Sequence, residues 1–148
     1  MTGDLARVEE MLQNGVDPTM DNNEAIRIAS VRGYTEIVQC LIQYGVNLNE
    51  GLQWASQKGQ LKVVQILLEA GAHAKFNDSL ALKWASLCGH LEIVRLLLEY
   101  GVDPTAIGGK DVEDWLIKDA ETEEIKELLI QYKYKADGKE YQRLKGQI

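Results

Sequence analysis

Pairs of glycines twelve residues apart punctuate this chain. Gly33 to Gly45 reads Gly-Tyr-Thr-Glu-Ile-Val-Gln-Cys-Leu-Ile-Gln-Tyr-Gly. Gly59 to Gly71 reads Gly-Gln-Leu-Lys-Val-Val-Gln-Ile-Leu-Leu-Glu-Ala-Gly, and Gly89 to Gly101 reads Gly-His-Leu-Glu-Ile-Val-Arg-Leu-Leu-Leu-Glu-Tyr-Gly. Gly3 to Gly15 keeps the spacing, and Glu121 to Lys133 keeps the apolar pattern without the glycines. A unit this small cannot bury its apolar face alone. Copies must stack on their neighbours, which restricts the chain to a repeat array.

Within each copy the apolar pairs recur four residues apart: Ile37/Val38 with Leu41/Ile42, Val63/Val64 with Leu67/Leu68, Ile93/Val94 with Leu97/Leu98. That spacing gathers them on one face of an α-helix. The trailing glycine fits a left-handed helix C-cap. A second, short helix is expected upstream, in Ala25-Ile-Arg-Ile-Ala-Ser30, Gly51-Leu-Gln-Trp-Ala-Ser56 and Ala81-Leu-Lys-Trp-Ala-Ser86. Ala29, Ala55 and Ala85 each stand four residues before the turn glycine, where a small side chain suits close helix approach. The unit is therefore short helix, glycine turn, longer helix, glycine cap, connector.

The stretch Ala85 to Pro104, Ala-Ser-x-x-Gly-His-Leu-Glu-Ile-Val-Arg-Leu-Leu-Leu-x-x-Gly-Val-Asp-Pro, closely resembles an ankyrin repeat. The resemblance covers about residues 3–133 and rests on four or five agreeing copies. It implies an all-α solenoid of four to five stacked helix-turn-helix units, with finger-like connectors along one edge and a concave surface that binds proteins. The units are expected at about 1–20, 21–46, 47–72, 73–102 and 103–135, followed by a basic tail over 136–148. Two departures from the family pattern stand out. The cap glycines Gly15, Gly45, Gly71 and Gly101 are 30, 26 and 30 residues apart rather than the family's usual 33, and the Thr-Pro-Leu-His box is missing. The fingers should be short turns, most reduced at Gly45–Gly51. In this the chain looks like the divergent type common in large viruses of amoebae and in some bacteria.

Both ends of the stack carry polar substitutions. Arg7 and Glu10 in the first copy, and Lys126 in the last, replace apolar residues. Solenoid ends need such polar outer faces for solubility. Asp119, Glu121, Glu123 and Glu124 cluster near the start of the last helix, where carboxylates suit the helix dipole. Only Met1 and Thr2 precede Gly3, so the first copy lacks its short helix. The chain is then either a fragment, or its N-terminal edge exposes apolar surface that self-association would cover.

Composition excludes several functions. The net charge of −7 argues against a dedicated nucleic-acid binder. The one basic stretch is 133–148, with Lys133, Lys135, Lys139, Arg143 and Lys145 against Asp137 and Glu140. It reads as a solubilising tail or a last helix. Cys40 and Cys88 fall in no metal or redox spacing, and the chain shows neither a signal peptide nor an apolar run of membrane-span length. A reducing, cytoplasmic setting fits. His73 and His90 read as a turn residue and a helix-start residue. Gly108-Gly-Lys110 lacks the spacing of a phosphate loop. No enzyme, metal or cofactor signature is present.

By resemblance, the two residues before each turn glycine face the concave surface: Val31 and Arg32, Gln57 and Lys58, Leu87 and Cys88. Tyr44 and Tyr100, each before a cap glycine, are expected to join it. Tyr and Arg are enriched at interface hot spots. The function implied is a protein-interaction module, acting as adaptor, scaffold or inhibitor. One rival is a small-ligand or nucleotide sensor, with Trp54 and Trp84 stacking and Lys58 supplying charge. The other is a structural segment of a longer array. Cys40 aligns with Ile66 and Leu96 and reads as buried, whereas Cys88 aligns with Arg32 and Lys58 and reads as exposed. Trp115 lies in the first helix of the last repeat, whose register is displaced from the others, and its face is not assigned.

Overall fold

The computed structural model describes residues 4–104 and 113–133, with every side chain among them except those of Asp78, Glu113, Asp114 and Trp115. The expectations for Gly108-Gly-Lys110, for Trp115 and for the tail beyond Lys133 fall outside this description. Among the described residues the chain forms nine helices and no strand. The fold is an all-α array of helix pairs, as the repeat pattern predicts. It divides into two compact units, Met1–His73 and Ala74–Ile148.

In the first unit, α1 (Leu5–Gln13) precedes two helix pairs, α2 (Met20–Arg32) with α3 (Thr35–Ile42) and α4 (Leu48–Lys58) with α5 (Leu61–Glu69). The first helices of the pairs, α2 and α4, pack together, as do the second helices α3 and α5. Ile26, Ala29, Leu52 and Ala55 meet Val38, Leu41, Val63, Val64 and Leu67 in a layer with almost no exposed surface. Burial of each large aliphatic side chain stabilises the stack by about 1.5–3 kcal/mol.

The second unit holds α6 (Phe76–Leu87), α7 (Leu91–Glu99), α8 (Glu113–Asp119) and α9 (Glu123–Lys133). Its core combines Leu82 and Ala85 with Ile93, Val94, Leu97, Leu116, Ile125 and Leu129. Glu121 occupies the place of the lost turn glycine, and its N–H donates to Ser86 O at 3.1 Å. Thr122 Oγ1 accepts from Ile125 N at 3.3 Å and so supplies the cap for α9. Arg7 and Glu10 are exposed, and Lys126, half-buried, pairs with Glu123 at 2.8 Å.

The expectation of a longer second helix is not met between α4, with 11 residues, and α5, with 9. In α2 and α6 the added length at the start is a left-handed turn, with positive φ at Asp21 to Asn23 and at Asn77 and Ser79, and in the last pair α9, with 11 residues, is longer than α8, with 7. The second helix is confined between two glycines that both leave the right-handed helix. At Gly71, φ is +100°, Gly71 N–H donates to Leu68 O and Ala72 N–H to Leu67 O. This paired bonding ends the helix in a Schellman motif. α4 has no such limit at its start and runs back to its cap at Asn47.

The connectors link the pairs sideways. Asn23 Oδ1 accepts from Asn47 N at 3.3 Å, and Asn49 Oδ1 accepts from His73 N at 2.7 Å. Each asparagine stands ten residues before its turn glycine, and each partner stands two residues after the next cap glycine. Gln60 Nε2 adds a third link, donating to Val31 O at 3.0 Å.

Candidate functional site

The candidate side chains fall into two groups within each unit. In the first, Val31 and Arg32 end α2, and Gln57 and Lys58 end α4. Because α2 and α4 pack side by side, the four are brought together at the glycine-turn edge. Arg32 and Lys58 are exposed, while Val31 and Gln57 are half-buried. Tyr44 is 43% exposed but follows the far end of α3, about 12 Å of helix away. The second unit repeats this: Leu87, half-buried, and Cys88, exposed, sit at the turn, and Tyr100, 46% exposed, lies past the end of α7. The tyrosines therefore stand at the connector edge, not beside the turn residues.

Local backbone geometry explains the exposure of the turn residues. Ala29/Ser30, Ala55/Ser56 and Ala85/Ser86 are buried at the helix interface. Two to three residues further on, the 3.6-residue period has rotated the chain toward solvent. Gly33 then turns the chain back, with φ +73°, as Tyr34 N donates to Ala29 O. The residue just before the turn is left outside. The hydroxyls of Ser30, Ser56 and Ser86 are buried and make no hydrogen bond.

Trp54 is half-buried and anchored. Its Nε1 donates to Glu50 Oε1 at 3.1 Å, and the Arg27 guanidinium stands 5.8 Å from the ring centroid. Arg27 also pairs with Glu24 at 3.0 Å. Trp84, half-buried too, has Lys83 Nζ 5.9 Å from its centroid. Each indole thus carries a protein cation over one face. Ile28, in the slot corresponding to Trp54 and Trp84, is 46% exposed.

The cysteines separate as to exposure, with one correction. Cys88 is exposed as expected, but Cys40 is half-buried rather than buried. Ile66 and Leu96 in the same slot are half-buried as well, so the slot lies at the rim of the helix layer. Partial burial, with the Glu9 carboxylate nearby, still pushes the Cys40 thiol up from its ordinary value. At the N-terminal edge Met11 is 46% exposed, whereas its counterparts Leu41, Leu67 and Leu97 are buried. Among the described residues no group of three His, Cys, Asp or Glu side chains is placed to hold a metal ion. None of the described helices is long and apolar enough to cross a membrane.

The asparagine links and the Arg27–Trp54–Glu50 cluster were not legible in the sequence. A recurring Asn ten residues before the turn was the available signal for the first. The second needs two helices in contact, and no spacing within one helix reveals it.

Comparison with known proteins gives one family. A family model described as ankyrin repeats, three copies, matches residues 1–78 and again residues 51–107. No curated protein matches the chain.

Proposed function

The chain belongs to the ankyrin-repeat family, whose members are generally protein-interaction modules and typically not enzymes, and from this we propose that it binds a protein partner as an adaptor, scaffold or inhibitor. The face formed by the first helices of the pairs holds that partner. One observation carries the reading. At the slots where α2 and α4 leave the core, the alanine–serine pairs are buried and constant in type, while Arg32, Lys58 and Ile28 beside them are exposed and varied. Rigid helices present these side chains with little ordering cost. Val31, Gln57, Leu87 and Cys88 belong to the same slots in their units, and Tyr44 and Tyr100 each add to the connector edge of their own unit. Each indole carries a protein cation over one face, and no observation favours the stacked-nucleotide reading.

The test is affinity capture with the full chain. Ile28→Asp, on the first-helix face, should abolish capture of the recovered partner, and Gln39→Asp, on the exposed side of α3, should leave it intact. The reverse pattern would move the interface to the second helices. A second use of the surface is self-association through the N-terminal edge, favoured by the exposure of Met11 and Met20. Light scattering that finds a strict monomer at high concentration would eliminate it.

A further inference from the structure

The first-helix face of residues 1–73 carries a defined pattern of chemistry. On α2, Ile28 is followed four residues later by Arg32; on α4, Trp54 is followed four residues later by Lys58. That spacing places both members of each couple on one side of their helix. α2 and α4 pack side by side, and Ile28 and Trp54 occupy the same slot, five residues before the turn glycine, so these sides stand next to each other. The result is an apolar pair, Ile28 and Trp54, beside a cationic pair, Arg32 and Lys58.

The two halves of this patch differ in how they are held. The indole is fixed between Arg27 and Glu50, and Arg27 is itself matched by Glu24. Arg32 and Lys58 are exposed, and among the described residues neither has an ion-pair partner. Their placement runs against the charge of the surrounding chain. Residues 1–73 hold nine carboxylates against five cations, and three of those cations, Arg27, Arg32 and Lys58, stand on α2 and α4. Cations in a last turn also complement the helix dipole. That effect does not account for the patch: α6 has no basic residue in its last turn, with Cys88 in the corresponding slot. Nor does it explain an isoleucine left 46% exposed beside a braced tryptophan.

We infer that this patch docks an acidic protein segment that carries one large apolar side chain flanked by carboxylates. The apolar side chain covers Ile28 and the open side of Trp54, and the carboxylates pair with Arg32 and Lys58. The inference rests on the reading of this face as the partner surface and adds the chemistry of the partner. Charge complementarity selects the acidic segment. Repulsion from carboxylates elsewhere on the unit is screened beyond about 8 Å at physiological salt.

The experiment is selection of peptides from a random display library on the full chain, followed by titration of the synthesised peptides. The enriched peptides should be net acidic and contain an aromatic or large aliphatic residue. Arg32→Glu with Lys58→Glu should weaken them at least tenfold, and Lys62→Glu, on exposed α5 surface, should change them less than twofold. Circular dichroism of both variants should match the parent. Enrichment of neutral or basic peptides, or acidic peptides that bind the double variant equally well, would overturn the acidic segment. If Ile28→Asp still abolished their binding, the interaction face would stand. A single-stranded oligonucleotide that outcompetes the peptides would also overturn the inference. A library that yields no binder at all would overturn the face itself.

Discussion

Two kinds of connector lead into the first helices, and they reach the same stacking by different routes. Between cap Gly45 and α4 stand only Val46 and Asn47. Asn47 starts the helix directly, its Oδ1 accepting from Asn49 N at 3.1 Å and Glu50 N at 3.3 Å. Between cap Gly15 and the right-handed part of α2 stand Val16 to Asn23. There the chain makes a left-handed turn, with φ of 50°, 58° and 59° at Asp21, Asn22 and Asn23. The long connector into α6 has the same feature, with φ of 48° at Asn77 and 60° at Ser79. The left-handed region is costly for most residues and mildest for Asn and Asp. The sideways bond nevertheless persists: Asn23 makes it from the left-handed turn, and Asn49 makes it from within α4. Connector length is thus absorbed locally, and the helix stack does not register it.

The short connector brings one consequence that can be broken by mutation. Gly51 stands where the other two first helices have Ala25 and Ala81. A Cβ there would meet Ile26 Cγ1 and Ser30 Oγ at 3.0 Å and Leu67 Cδ1 at 3.1 Å. Gly51→Val should therefore lower the unfolding free energy by about 3 kcal/mol through overpacking, whereas Ala25→Val, at a half-buried position, should cost less than about 1 kcal/mol. Urea denaturation of the two variants compares them. Equal losses would mean that α4 is no more tightly seated than α2.

The next effect separates the two routes by sign. Leu48→Gly replaces a right-handed helical residue and should cost at least about 1 kcal/mol. Asn22→Gly, in the corresponding slot of the long connector, relieves a positive φ and should be neutral or stabilising by a few tenths of a kcal/mol. A comparable loss in both would argue against the left-handed turn.

Removing the link costs differently in the two. Asn49→Ala deletes one partly exposed acceptor, for about 1 kcal/mol, and Asn23→Ala should cost more, because alanine at φ 59° also loses asparagine's tolerance of the left-handed region. Hydrogen exchange at the Asn47 and His73 amides would show the release directly, and unchanged protection would refute the link. The buried serines test the stack independently of connectors. Ser30→Ala, Ser56→Ala and Ser86→Ala each remove a hydroxyl that is buried without a partner, and should raise stability by about 0.5 kcal/mol at all three sites.

The smallest contrast is in pH. Asp17 and Asn47 occupy the same slot, two residues after a cap glycine. The Thr19 hydroxyl donates to Asp17 at 2.7 Å and the Thr19 N–H at 2.8 Å, and together they hold the carboxyl below its ordinary value. The contribution is complete above the ordinary carboxylate range and is lost as pH falls through the lowered folded value. Asn47 has nothing to titrate. The Thr19 amide resonance should move at low pH in the parent and stay fixed in Asp17→Asn.

The elements themselves were legible because their signals are local. Glycines twelve residues apart mark where the backbone must take positive φ, and all of Gly33, Gly45, Gly59, Gly71, Gly89 and Gly101 do so. The apolar pairs four apart mark the buried faces, and Val38, Val64 and Val94 are fully buried. The greater length of α4 over α5 was not legible, because α4 extends into a connector that carries no apolar period. The rim position of Cys40 escaped detection for a related reason. An apolar residue in all three copies looks like core, and exposure at a rim depends on the neighbouring layer. Among candidate residues, the exposure of Arg32, Lys58 and Cys88 followed from their place before the turn. The separation of Tyr44 from them follows from the length of α3.

The sequence alone determined that the chain is a stack of helix pairs, since its period, its glycine caps and its alanine–serine contacts each act within a few residues. Tertiary structure decided which side chains meet between pairs: Arg27 with Trp54, Gln60 with Val31, Asn49 with His73. Those partners lie 24 to 29 residues apart. Only the packing of one repeat against the next brings such distant groups within bonding distance, and no short-range pattern encodes it.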